Sequence, residues 1–213
     1  ELLLDSYITS GNFPSALNML EKSTSPDPKI YQQIAFLYAL QLYGDGNFKE
    51  ALPYFQKAKN SKAQSQVQAR ATYWSGETHY QLHEYPEAQR DFSAFLALKE
   101  TTLAEYPNAL YGLGYALFNQ EKYAEAAEYF SKYIQTQPEA SRLADANLRL
   151  GDSYFAAGKY WPAMEGYNKL IESKSADQDY AAYQKAISYG FVDRPNNKIE
   201  DLERFIKNYP TSN

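Results

Sequence analysis

The two histidines of the chain lie four residues apart, a spacing that can serve a metal site. On a helix, His79 and His83 would share one face, as a pair of metal ligands requires. A third ligand is needed, and Glu84 does not stand where the glutamate of a zinc-protease helix motif stands. Helical counting places His79 toward the core and His83 at a turn. We therefore expect a structural role for both histidines and predict no metal or other cofactor.

Acidic pairs are the other candidates for chemistry, because two neighbouring carboxylates can act as acid and base. Glu125 with Glu128, and Asp145 with Asp152, are such pairs, but solvated helix faces carry them too. The stretch Gly112-Leu113-Gly114 lies inside a helical pattern and follows no strand, so it does not form a phosphate loop. We expect no catalytic activity in this chain. An enzyme fused to it outside this sequence remains an alternative.

The charge and composition exclude two further classes of protein. The 213 residues carry 21 basic and 26 acidic side chains, a net charge of −5. The basic residues form no stripe that could neutralise phosphates, so nucleic acid is not an expected partner. No run of about 18 apolar residues is present, and no transmembrane segment is predicted. The lack of cysteine is compatible with both the cytosol and the periplasm.

A repeated sequence pattern predicts the helices that carry these residues. An aromatic residue follows a break between helical stretches at intervals of 35, 37, 38 and 37 residues, and an alanine comes three positions after each. Periods of this length are typical of stacked helix pairs, so the pattern predicts an all-α protein with about twelve helices in six antiparallel pairs. The aromatics are Phe13, Phe48, Tyr85, Tyr123 and Tyr160, and the alanines are Ala16, Ala51, Ala88, Ala126 and Ala163.

The six predicted helix pairs can be placed along the chain as a single solenoid. A solenoid grows by adding units, and its terminal units are normally polar caps. Glu1 falls inside the first helix of its pair rather than before a cap, so we expect the chain to be a fragment of a longer array. The predicted units cover approximately residues 1–24, 29–60, 67–100, 107–136, 141–174 and 177–209.

These units resemble tetratricopeptide repeats, which are helix–turn–helix units with small residues at two packing positions. Gly76, Gly114 and Gly151 match the glycine of the first helix, and the repeated alanines match the small position of the second. The period here is mostly 37 or 38 residues, longer than the usual period of about 34. The resemblance implies a right-handed α-α superhelix whose concave wall, built from first helices, holds a peptide or a partner's helix.

The resemblance also predicts which residues face a partner. A residue one position after each glycine points about 100° away from the second helix. Further residues flank that line, although Tyr111, Phe118 and Phe155 could instead pack between neighbouring first helices. Because two carboxylates rim this wall, the expected protein or peptide partner is neutral or basic with apolar anchors. The predicted partner-binding residues are Tyr73, Trp74, Glu77, Tyr80, Tyr111, Tyr115, Phe118, Asp152 and Phe155.

A different ligand, the free C-terminus of a chaperone, is not expected. Tetratricopeptide domains that bind such a terminus hold its carboxylate with a clamp of Lys, Asn and Arg on their first helices. None of these residue types occupies the corresponding positions of this chain. Those positions are Phe36, Tyr73, Tyr111 and Leu148, then Leu40, Glu77, Tyr115 and Asp152.

Three functions stay open at this point. The leading one is a non-catalytic interaction module, and the others are a spacer in a large multi-repeat protein and an auxiliary domain of an enzyme. Residues 73–77 and 205–212 look like segments of bacterial envelope proteins with such repeats, including outer-membrane assembly lipoproteins and large repeat proteins of the Bacteroidota. The expected location is therefore the periplasm or cell envelope, with the cytoplasm as the alternative. Nothing in the sequence indicates an oligomeric state.

Overall fold

A computed structural model describes residues 2–212, and all the regular structure in that range is helical. The prediction of an all-α protein is confirmed. Within this range, no helix combines the length and the hydropathy needed to cross a bilayer. The helices are α1 (Leu2–Thr9), α2 (Phe13–Glu21), α3 (Pro28–Gly44), α4 (Phe48–Asn60), α5 (Ser65–Gln81), α6 (Tyr85–Ala97), α7 (Glu105–Phe118), α8 (Tyr123–Ile134), α9 (Ala140–Ala156), α10 (Tyr160–Glu172), α11 (Gln178–Gly190) and α12 (Pro195–Asn208).

The turn inside each helix pair is closed by the same backbone motif. One residue of the turn has a positive φ, and the N–H of the next residue donates to a carbonyl five residues back, as Asn47 does to Leu42 at 2.8 Å. This bond satisfies a carbonyl at the end of the first helix and reverses the chain. Three of the six turns use a residue other than glycine for the left-handed position. The six residues are Gly11, Gly46, His83, Glu121, Gly158 and Asp193.

Aromatic pairs hold four of these turns. An aromatic near the end of the first helix packs against the aromatic that begins the second helix, five residues later. The ring centroids are 5.2 to 5.6 Å apart, within the range of favourable ring–ring contacts. The pairs are Tyr43 with Phe48, Tyr80 with Tyr85, Phe118 with Tyr123, and Phe155 with Tyr160.

The glycines of the first helices lie directly under aromatic rings of the second helices. A Cβ atom on Gly114 would come within 2.9 Å of the Phe130 ring, and one on Gly151 within 2.7 Å of the Tyr167 ring. Any larger side chain at these positions would push the two helices apart. The alanine of the second helix is fully buried in all five repeats. These contacts explain why the two small positions recur.

The chain divides into two compact units, one up to Gly112 and one from Leu113 onward. In residues 2–112, buried apolar side chains such as Phe36 and Phe55 form a continuous core. The core also contains Gln32, whose side-chain nitrogen donates to the carbonyls of Ala58 and Ser61 at 2.9 Å. That side chain is fully buried and fixes the link between α4 and α5.

Residues 113–212 have a core of their own. Leu148, Tyr167 and Leu170 are buried in it together with the small residues Ala163 and Ala181. These side chains come from α9, α10 and α11, so the core continues from one helix pair to the next.

Candidate partner-binding surface

The two histidines belong to the turn between α5 and α6. The His79 Nδ1 atom lies 2.6 Å from a carboxylate oxygen of Glu84, and the His83 Nδ1 atom lies 2.9 Å from the Tyr85 hydroxyl. His83 is also the residue with the positive φ. No group of three His, Cys, Asp or Glu side chains placed to hold a metal ion occurs in residues 2–212.

The face of the first helices that carries the predicted residues is called the first-helix wall below. In residues 2–112, Tyr73 on this wall is only 5% exposed. Its ring lies 5.9 Å from that of Phe92 and 5.7 Å from that of Phe95, and its hydroxyl donates to Glu77 at 2.9 Å. Burial raises the pKa of the Tyr73 hydroxyl well above its usual value, and the nearby Glu77 charge adds to this. Tyr73 is therefore a core residue, which corrects its assignment to a partner-facing position.

Trp74 is also more buried than the prediction expected. It is half-buried, and its ring packs edge-on against Tyr43 at 5.1 Å and Tyr73 at 5.4 Å. Its indole nitrogen is buried and has no hydrogen-bond partner in the described part of the chain. The expectation that Trp74 points away from the core is corrected, because α3 covers it. Tyr80 lies against Tyr85 at the turn and Tyr111 is half-buried.

In residues 113–212 the first-helix wall carries a hydrogen-bonded chain of polar side chains. The Tyr115 hydroxyl donates to an Asp145 carboxylate oxygen at 2.7 Å and accepts from Arg149 Nε at 3.2 Å. The Arg149 guanidinium also donates to Asp152 at 3.1 Å. Asp152 also accepts a bond from the Tyr180 hydroxyl at 3.1 Å. We call these five residues the Tyr–Arg–Asp network, and they link α7, α9 and α11.

Aromatic rings support this network. The Arg149 guanidinium carbon lies 5.9 Å from the centre of the Tyr115 ring and 6.0 Å from that of Phe118, which is within cation–π range. Phe118 itself packs on the turn residue Tyr123, and Phe155 similarly contacts both Tyr160 and Phe191. Phe118 and Phe155 thus hold the turns of their own helix pairs. Their alternative interpretation placed them between neighbouring first helices, and among their ring–ring contacts only that of Phe155 with Phe191, at the end of α11, is of that kind.

The electrostatics of the network centre on Asp152. Its side chain is 11% exposed, and this burial raises the pKa of the carboxyl, although hydrogen bonds from Tyr167 and Tyr180 act against the rise. Burial, together with the Asp152 charge, raises the pKa of the Tyr180 hydroxyl to about 12. The Tyr180 hydroxyl therefore remains a hydrogen-bond donor to Asp152 at neutral pH.

Three members of the network, Asp145, Arg149 and Tyr180, were not among the predicted residues. Arg149 lies two positions before Gly151, and Asp145 lies six positions before it. The available signal was the spacing of opposite charges on one helix, four residues from Asp145 to Arg149 and three from Arg149 to Asp152. Tyr180 comes from the next helix pair and had no comparable local signal.

A stack of antiparallel helix pairs with glycine–ring contacts is the organisation of a helical-repeat solenoid. Two stretches, residues 73–141 and residues 145–173, match the family described as tetratricopeptide repeat. These two stretches of the chain are therefore tetratricopeptide repeats. That fold indicates a scaffold for protein–protein interaction.

Solved structures share this fold over most of the chain. YrrB, described as a tetratricopeptide-repeat protein with an unusual peptide-binding site, matches with a TM-score of 0.69 and 19% identity, covering 93% of both chains. MamA matches with a TM-score of 0.67 and 20% identity over 84% of this chain and 92% of its own. PilF of Pseudomonas aeruginosa matches with a TM-score of 0.58 and 20% identity over 99% of this chain and 90% of its own. At these identities the likeness establishes the fold alone.

A curated relative is more similar over a shorter stretch. The outer membrane protein assembly factor BamD of Rickettsia prowazekii (strain Madrid E) is 37% identical over 82 residues. The match covers 38% of this chain and 33% of that protein, so the chain spans about a third of the relative's length.

Proposed function

We propose that the protein is a non-catalytic interaction scaffold that binds a partner polypeptide along the first-helix wall of residues 113–212. The observation that carries this proposal is the Tyr–Arg–Asp network, which joins three successive first helices while Tyr180 stays 42% exposed. Tyrosine and arginine are frequent anchors of interfaces. Tyr115 and Asp152 belong to the predicted set of binding residues, and Arg149 and Tyr180 are added to it.

The charges of the network define the kind of segment that would bind. Asp145 and Asp152 outnumber the single cation Arg149, and the whole chain carries a net charge of −5. An acidic segment would be repelled, whereas a neutral or basic segment would complement the surface. The rings of Tyr115 and Tyr180 offer contact area for its apolar side chains. The partner is therefore a neutral or basic segment with apolar anchors.

We further propose that the scaffold works in the bacterial cell envelope, in the periplasm, on an envelope polypeptide. The relative from R. prowazekii supports this location, because it is named as an outer membrane protein assembly factor. The peptide-binding site named for YrrB supports a polypeptide ligand. A cytoplasmic scaffold is the alternative.

Two other functions compete with this one. A spacer in a longer array would bind no ligand with a sequence preference, and an auxiliary domain would depend on an enzyme elsewhere. The network favours binding over spacing, because a spacer has no need for a partly exposed arginine held between two carboxylates.

Selection of random peptides displayed on phage against the immobilised chain tests the proposal. We expect enrichment of peptides that are neutral or basic and contain apolar side chains. The double variant Arg149→Ala/Tyr180→Ala should lose this enrichment. The matched control is Tyr183→Ala, since Tyr183 lies on the same helix, is 43% exposed and is outside the network. No enrichment, or the same enrichment with the double variant, would contradict the proposal.

A further inference from the structure

A cavity lies beside the Tyr–Arg–Asp network, where α11 and α12 meet the short segment that follows α12. Its volume is about 440 Å³, within the range typical of ligand pockets. The network involves the hydroxyl of Tyr180, whose side chain is the one that the two sites share. The lining includes Asp179, Tyr180, Tyr183, Phe205 and Ser212.

Three aromatic residues belong to this lining. The ring centroids of Tyr183 and Phe205 are 5.7 Å apart and the rings are inclined at 55°, so the two rings form a corner. Tyr180 lies three positions before Tyr183, on the same side of α11. The two tyrosines are 42% and 43% exposed, so both retain surface that a ligand can contact. The face of an aromatic ring is the negative side of its quadrupole and attracts cations.

The same lining contains a negative charge. The Asp179 carboxylate accepts a hydrogen bond from the Ser212 hydroxyl at 2.6 Å. This bond, together with the backbone N–H of Tyr180, holds the pKa of the Asp179 carboxyl below its usual value, so the group is ionised at neutral pH. The Arg149 cation of the network is paired with Asp152 at 3.1 Å, which offsets its repulsion of a second cation. Aromatic faces beside a carboxylate favour an organic cation over an anion or a neutral molecule.

The hydrogen bonds already made in the lining favour one kind of cation. Asp179 accepts from Ser212, and the Tyr180 hydroxyl is directed to Asp152. A primary ammonium or a guanidinium brings several N–H donors, which would give up hydrogen bonds to water for few acceptors in return. A quaternary ammonium has no N–H group, and its methyl groups can pack directly on ring faces.

We propose that this cavity binds a quaternary ammonium cation, with its methyl groups against the rings of Tyr180, Tyr183 and Phe205 and with Asp179 balancing its charge. The ligand is distinct from the polypeptide partner proposed above. This inference therefore goes beyond the proposed function and does not rest on it.

Titration of the isotope-labelled chain with choline and with 3,3-dimethyl-1-butanol, followed by NMR at constant ionic strength, tests this directly. The second probe replaces the charged nitrogen of choline by carbon and keeps the shape. Choline should bind saturably with a Kd on the order of 1–10 mM and shift the ring resonances of Tyr180 and Tyr183. The neutral probe should bind at least about 10-fold more weakly, and the primary amine n-butylamine at least about 5-fold more weakly.

Two variants locate the site. Tyr183→Leu keeps an apolar side chain but removes the ring, so it should weaken choline binding about 5-fold. Tyr183 is outside the network, so the peptide binding proposed above should persist in this variant. Asp179→Asn keeps an acceptor for Ser212 but removes the charge, and should weaken choline binding about 3-fold. The matched control is Asp177→Asn, which makes the same charge change at an exposed residue outside the lining and should leave the affinity unchanged.

The quaternary ammonium group occurs both in free cations and in the head group of phosphatidylcholine. Sedimentation of the chain with phosphatidylcholine vesicles, compared with phosphatidylglycerol vesicles, distinguishes these sources. Retention on phosphatidylcholine alone that choline reverses would identify the lipid head group as the ligand. Choline binding without such retention would identify a free cation. Both results support the site.

Three results would overturn the proposal. The first is equal binding of choline and 3,3-dimethyl-1-butanol, and the second is tighter binding of n-butylamine than of choline. The third is no saturable shift up to about 50 mM choline, a concentration well above the expected Kd. All three are measured on the unmodified protein, so they decide the matter even if a variant folds poorly.

Discussion

Trp74 and Arg149 occupy the same position of two repeats, two residues before the first-helix glycine, but they have opposite surroundings. In residues 2–112, the Trp74 ring packs against Tyr43 and Tyr73 and extends the core. In residues 113–212, Arg149 instead bonds Tyr115 and Asp152 at the surface. The repeat sets the backbone position, whereas the side chains of the neighbouring first helix decide whether that position packs or stays available for recognition.

The largest expected effect on stability comes from truncating Tyr73, a residue of the first-helix wall that is buried in the core. Tyr73→Ala should lower the free energy of unfolding by about 3–5 kcal/mol, because it empties a buried aromatic site. Tyr180→Ala should cost only about 1–2 kcal/mol, mainly for the hydrogen bond to Asp152. Urea unfolding followed by the helical circular dichroism signal measures both. Equal losses would remove the distinction between the two parts of the wall.

A substitution at the shared glycine position should affect both units alike. Gly114→Leu should lower the free energy of unfolding by about 3 kcal/mol through overpacking. Its Cβ would lie 2.9 Å from the Phe130 ring, which is fully buried and cannot move aside. Gly76→Leu should cost a similar amount, because its Cβ would lie 2.9 Å from Phe92. An unchanged melting temperature for either variant would show that the glycine contact is misplaced.

A smaller effect, on the pH dependence of stability, is expected from the buried carboxyl group of Asp152. Because burial raises the pKa of Asp152 above its usual value, the folded state holds this proton more tightly than the unfolded state. Stability therefore falls as pH rises from about 4 through the raised pKa, and the penalty persists above it. Asp152→Asn removes the penalty and keeps an acceptor for the tyrosine hydroxyls.

The melting temperature measures this pH dependence. Relative to the unmodified chain, the Tm of Asp152→Asn should rise between pH 4 and pH 7. A relative Tm that falls over this range would show that the Arg149 charge outweighs burial and holds the pKa of Asp152 below its usual value.

The fold could be predicted because its determinants are local and periodic. The recurring aromatic, alanine and glycine positions place each helix pair, and the contacts of Gly114 and Gly151 with aromatic rings explain them. The surface was harder to predict, because exposure depends on residues from another helix pair. Tyr43 covers Trp74, and Tyr180 reaches Asp152 from 28 residues further along the chain. Neither contact follows from spacing along one helix.

The central claim is that the wall of residues 113–212, rather than that of residues 2–112, contacts the partner. Isothermal titration of a peptide from the display selection into Arg149→Met and Trp74→Phe tests it, since both substitutions fall at the same repeat position. We predict that Arg149→Met weakens binding at least about 5-fold, or about 1 kcal/mol, while Trp74→Phe leaves the affinity per folded molecule unchanged. Weaker binding by Trp74→Phe together with normal binding by Arg149→Met would contradict the claim.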